Sequence, residues 1–211
     1  MYFRGKYQNL KKENKMKVKE YLKLFSNTLS DDYFEVDKNI EHGMLGISTE
    51  ISELVSGSLN YDIDGTEENK LNIIEEIGDV YWYMSLLCKE YLLDYDTLDQ
   101  ISSTVEPETK QLKTKLFTPS TIGLTIISGG IIDLLKRAHF YKNCSDFKQA
   151  LIWKMAMIHN VLKDIIDMTG VTFEYILDIN MKKLKTRYPD GFKSTDAINR
   201  DIQEEIKGMK G

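Results

Sequence analysis

Cysteine is nearly absent: Cys88 and Cys144 are too few and too far apart for a disulfide framework or a zinc knuckle. Two free thiols suit a reducing compartment, so a cytoplasmic protein is expected. Proline is equally scarce, at Pro107, Pro119 and Pro189 alone. Long stretches run without a breaker and nothing alternates with period two for long, which favours helices over a sheet. There is no basic excess, and a net charge of −5 argues against a nucleic-acid binder. No window of about 18 apolar residues is found, so no membrane span is expected. Residues 1–25 carry basic residues without an apolar stretch and do not read as a signal peptide. What remains, 42% hydrophobic and 29% charged in 211 residues, can bury a sizeable core as one domain or two small ones.

Within it one eight-residue pattern occurs twice. In Ile47-x-x-Glu50-Ile51-x-Glu53-Leu54 and in Ile73-x-x-Glu76-Ile77-x-Asp79-Val80 the aliphatics fall at i, i+4 and i+7, one stripe of an α-helix. Each stripe carries a carboxylate on its shoulder and another just beyond. Two helices packed by these stripes direct four acids at one groove. Carboxylates that close repel one another unless a cation sits between them. All-oxygen ligands favour Mg²⁺, with Mn²⁺ as the substitute. A lone pair of this kind is ordinary helix surface; the repeat in the same register is what singles it out.

Residues 42–54, His42 to Leu54, and 72–83, Asn72 to Tyr83, together resemble the E-x-x-E…E-x-x-D signature of the MazG-like all-α nucleoside triphosphate pyrophosphohydrolases. The run from Asn180 through Lys183, Leu184, Arg187, Tyr188 and Pro189 to Gly191 and Phe192 resembles the same group. The resemblance implies hydrolysis between the α- and β-phosphates, releasing a nucleoside monophosphate and pyrophosphate. It implies Glu50, Glu53, Glu76 and Asp79 as both catalytic residues and Mg²⁺ ligands. Asn180, Lys183, Arg187 and Tyr188 then face the phosphates or the ribose, with Lys183 and Arg187 one helical turn apart and directed at substrate. Assembly as dimers or tetramers of four-helix units is also implied, so a homodimer is one expected state.

The second half repeats the first in weakened form. Ile127, Ser128, Ile131, Asp133 and Leu134 follow Ile47, Ser48, Ile51, Glu53 and Leu54 by 80 positions, while Leu151, Ile152, Met155 and Ile158 follow Ile73, Ile74, Ile77 and Val80 by 78. Gly130, Lys154 and Met157 stand where the first half has Glu50, Glu76 and Asp79. A duplication whose second site has lost its metal gives this pattern, and one chain then supplies both halves. The reading is an all-α protein of four-helix-bundle type built from two tandem degenerate repeats. Residues 1–101 form the first repeat, 102–119 a polar linker, 120–192 the second repeat, and 193–211 a charged tail around a short helix at 197–206. In the first repeat a Lys-rich helix over 6–29 precedes helices over 36–60 and 66–92, with a turn at 61–66. His42 is expected as a packing residue and Trp82 as an outward aromatic.

No Ser-His-Asp or Cys-His arrangement and no Walker-type phosphate loop is present. A di-iron bundle needs Glu-x-x-His, and none of His42, His139 or His159 follows a Glu by three. The alternative is a non-catalytic nucleotide-binding or helical interaction protein.

Overall fold

The computed structural model describes residues 35–104, 115–141, 145–189, 195, 198–199 and 201–210, all within one unit, Phe34–Gly211. The helix expected over 6–29, the middle of the linker, Cys144 and residues 190–194 lie outside the described residues. Among the described residues the chain is all-α, with seven helices and no strand.

Helix α1 (Lys38–Asp64) starts where the Asp37 carboxylate accepts the backbone N–H groups of Asn39, at 2.8 Å, and Ile40, at 3.3 Å. It ends at Gly65, whose φ of 65° is the left-handed conformation that suits a C-cap glycine. The helix thus runs past the expected turn at 61–66, which shrinks to Gly65 and Thr66. Tertiary contacts explain the extra turn. Tyr61 packs edge-on against Phe117, and the Asp62 carboxylate accepts the N–H groups of Phe117 at 2.9 Å and Thr118 at 2.7 Å. An acid at the end of one helix thereby caps another some 55 residues later.

Helix α2 (Glu67–Tyr91) is capped by Thr66, which accepts from the N–H of Asn69. A short α3 (Tyr95–Ser102), capped by Asp94, fills what the sequence left blank before the linker. Helix α4 (Phe117–Tyr141) absorbs the end of that linker. Pro119 stands in its first turn, where no partner for an N–H is lost. Helices α5 (Phe147–Thr169), α6 (Phe173–Arg187) and α7 (Ile202–Lys210) complete the described chain. Contrary to the expectation from apolar runs, α4 is long and apolar enough by length and composition to cross a membrane, with a mean hydropathy of 1.3. Its polar residues are mostly Ser, Thr and Gly, which interrupt a run of apolar letters without lowering hydropathy much. Leu124, Ile127 and Ile131 of its inner stripe are buried in the core.

Both predicted stripes are buried. Ile47, Ile51 and Leu54 of α1 and Ile73, Ile77 and Val80 of α2 have no exposed surface and join Ile131, Met155 and Ile158 of α4 and α5 in one core. Burying each such side chain is worth about 1.5–3 kcal/mol. Helix α1 packs on α2 and α4, α4 on α5, and α2 on α6.

Two contacts cross this core between positions that the sequence offsets make equivalent. Ser48 Oγ approaches the Ser128 carbonyl oxygen at 3.5 Å, 80 residues away, and the Tyr81 hydroxyl meets His159 Nδ1 at 2.9 Å, 78 residues away. The second contact belongs to a chain that runs from the core to the surface. His159, 4% exposed, donates from Nε2 to Asp99 at 3.3 Å, which also pairs with Lys163 at 2.7 Å. Burial holds the imidazole below its ordinary pKa against the pull of Asp99, so the neutral ring accepts the Tyr81 hydrogen at Nδ1. Tyr81→Phe leaves that nitrogen buried without a donor. A loss of about 1–3 kcal/mol in urea unfolding is expected, and unchanged stability would contradict the assignment.

Candidate metal centre

The acids come from the solvent shoulders of the two stripes. Helix α1 supplies Glu50, α2 supplies Glu76 and Asp79, and each offers a carboxylate oxygen within 4.8 Å of the others. This is the one such group among the described residues. Glu53, the fourth expected ligand, is exposed and falls outside the group, although its charge still acts on Glu50 and Glu76. One further turn along α1 carries it past the rim.

Glu76 is 6% exposed. Burial, then the charges of Asp79, Glu75 and Glu53, push its carboxyl up to about 8. Glu50 rises to about 7 through burial and its neighbours Asp79 and Glu53. Asn72 donates to Glu76 at 2.9 Å, fixing one of its oxygens.

Helix α6 closes the third side. Asn180 Nδ2 donates to Asp79 at 2.6 Å. Lys183, 1% exposed, bonds its ammonium to Asp79 and, at 3.2 Å, to Glu75. A Cβ on Gly78 would lie 2.9 Å from the Asn180 Cβ, so the glycine lets α6 approach α2 closely enough for these bonds. The closing motif and the acids, about a hundred residues apart in sequence, therefore meet in space. Glu75 was not among the expected site residues; its only sequence signal is its position beside Glu76.

The expectation that both cations of α6 point at substrate needs correction. Lys183 is bonded to protein carboxylates, as above. Arg187 is turned to α7, donating Nε and Nη2 to the two oxygens of Glu205 at 2.9 and 2.7 Å. Glu205 is 3% exposed, so its charge is satisfied by protein and not by solvent. The tail helix, expected at 197–206, runs over 202–210 and is pinned to α6 by this bidentate pair. Arg187→Ala strands a buried carboxylate, and a loss of about 3–5 kcal/mol is expected in chemical denaturation. Intact stability with a raised KM would restore the original reading. Tyr188 lies beside the guanidinium, 5.8 Å from ring centroid to Arg187 Cζ, and lines a groove with His42 and Trp82.

At the positions that the sequence offsets align with Glu50, Glu76 and Asp79 stand Gly130, Lys154 and Met157, none of them an acid. The Lys154 side chain lies over Gly130, with Cε 2.7 Å from where a Cβ would stand. Asp133 is paired with Lys136, and the charges of Arg137 and Lys154 help hold its carboxyl below the usual range. Comparison with protein-family models, with curated proteins and with solved structures found no match for the chain.

Proposed function

We propose that the protein is a Mg²⁺-dependent nucleoside triphosphate pyrophosphohydrolase, cleaving between the α- and β-phosphates. The observation that carries this reading is the convergence of Glu50, Glu76 and Asp79 within 4.8 Å beside the buried Lys183. The donor set is all oxygen, which fits Mg²⁺ or Mn²⁺ and not a thiolate- or imidazole-preferring metal. A cation held there neutralises phosphate oxygens and acidifies a bound water. Glu50, Glu76 and Asp79 would hold it, while Glu53 lies outside the group and acts on it through its charge. Asn180 and Lys183 each hold one oxygen of Asp79 and so fix the orientation of its carboxylate. Lys183 holds Asp79 and Glu75 in place from the buried side of the cluster.

In this reading the second half is a degenerate copy that serves as scaffold. The crossing contacts at offsets of 80 and 78 support it, and so does Lys154, whose ammonium stands over Gly130 where the first half has an acid. The chain then provides internally the surface a second subunit otherwise brings.

A second reading has one observation in its favour. The salt bridges of Lys183 to Asp79 and Glu75 partly neutralise the cluster without any metal, which suits a non-catalytic nucleotide-binding or interaction protein. Incubation with a panel of ribo- and deoxynucleoside triphosphates and Mg²⁺, with chromatography of the products, separates the two. Monophosphate and pyrophosphate are expected. Diphosphate and orthophosphate, or no turnover on any member, would overturn the proposal.

A further inference from the structure

An open groove of about 420 Å³ is lined by His42, Trp82, Met181, Leu184, Lys185 and Tyr188. Its walls are aromatic and aliphatic, and Trp82 and Met181 are 41% and 47% exposed, which leaves an apolar surface facing solvent. The groove is built by the same three helices as the acid cluster. On α1, His42 stands eight residues before Glu50, about 12 Å along the axis at 1.5 Å per residue. On α2, Asp79, Trp82 and Tyr83 fall at i, i+3 and i+4. On α6, Lys183 faces Asp79 while Leu184 and Tyr188 face the groove.

Tyr83 forms the partition. Its ring meets His42 and Trp82 edge-on, at 5.3 and 4.8 Å between centroids. It lies so closely over Gly46 that any side chain there would collide with it. Its hydroxyl is raised above the usual phenol range by burial and by the charges of Glu50 and Asp79, and Tyr188 and Arg187 act on it from the other side. One residue thus borders both the acids and the aromatic groove.

We propose that this groove is the base subsite: the aromatic base of a nucleotide lies among Trp82, His42 and Tyr188 while its phosphates reach past Tyr83 to the acids. The inference rests on the hydrolase reading above. An occupant must join a flat apolar ring to a phosphate chain, and a nucleoside triphosphate joins them. Ring faces hold any base by stacking, so the groove grips the base by its faces. Inorganic tripolyphosphate, which lacks the ring, is predicted to bind through Mg²⁺ at the acids and leave the groove untouched.

The test uses Trp82 as its own reporter, in a Trp153→Phe background that removes the other tryptophan, itself 47% exposed. The full chain with Mg²⁺ is titrated with the α,β-methylene analogue of adenosine triphosphate and separately with tripolyphosphate. The expected result is saturable quenching of Trp82 by the nucleotide and none by tripolyphosphate, although both inhibit turnover. Trp82→Ala is expected to raise KM about tenfold or more, with kcat changed less than threefold and Tm preserved. Equal quenching by both ligands, or an active Trp82→Ala protein with KM within twofold of the parent, would overturn the base subsite and leave the hydrolase reading standing. A Trp82 emission that shifts with protein concentration alone, unaffected by nucleotide, assigns the groove to self-association and also overturns it. Absence of both turnover and Mg²⁺-dependent nucleotide binding in the parent chain overturns inference and hydrolase reading together.

Discussion

Glu76→Gln is expected to reduce turnover on the order of 10³-fold, equivalent to about 4 kcal/mol of transition-state stabilisation, while raising the stability of the metal-free protein. Both effects follow from one position. Glu76 is buried against Asp79 and Glu75, and its carboxyl is pushed up to about 8. At pH 8.5 the wild-type fold must hold a largely ionised carboxylate out of water, whereas glutamine fills the same volume and keeps the Asn72 contact without charge. Near pH 5 the wild-type group is protonated and the stability difference should shrink. Steady-state kinetics and thermal melts at the two pH values measure both. An active variant with an unchanged melting profile would remove Glu76 from the site.

The same displaced titrations predict how the wild-type protein responds to pH. Glu50 and Glu76 ionise near 4.5, the ordinary value of a glutamate, when unfolded and at about 7 and about 8 when folded. Between those limits these two groups hold more protons in the folded chain than in the unfolded one, so their contribution to metal-free stability is greatest below the unfolded value. That contribution falls as pH rises through the folded values, and its loss is complete only about one unit above the higher of them. A cation must displace those protons to bind. Mg²⁺ affinity should therefore climb about tenfold per pH unit for each proton displaced below pH 7, and level off only about one unit above the folded value of Glu76. In saturating Mg²⁺ the fall in stability should be reversed. Titration calorimetry in two buffers of different ionisation enthalpy counts the protons released. A metal-free Tm that is flat or rising from pH 5.5 to 8.5 would show that the acids are solvated and uncoupled.

The parts of the molecule that were legible in the sequence are those set by local spacing. The stripes Ile47-Ile51-Leu54 and Ile73-Ile77-Val80 gave the two helices, their buried faces and the side on which Glu50, Glu76 and Asp79 emerge. Spacing along one helix cannot say how far a rim residue stands from a neighbour, and so Glu53 was placed with the other three. Nor does it reveal a partner distant in sequence. Arg187 looks like a phosphate grip until Glu205, 18 residues later, folds back upon it, and Lys183 looks free until α6 docks on Asp79 and Glu75. Helix ends shifted for the same reason: α1 gains a turn because Asp62 has Phe117 and Thr118 to cap. The chain Tyr81–His159–Asp99 left no periodic trace at all, since each member comes from a different helix.

The central claim is that Glu50, Glu76 and Asp79 hold a divalent cation, and Mn²⁺ binding followed by electron paramagnetic resonance at pH 8 tests it most directly. The wild-type chain is expected to take up at least one ion at sub-millimolar free Mn²⁺, with Mg²⁺ competing. Glu76→Gln should bind at least tenfold more weakly. A wild-type protein that leaves all Mn²⁺ free at that pH, or a Glu76→Gln protein that binds it equally well, would contradict the account.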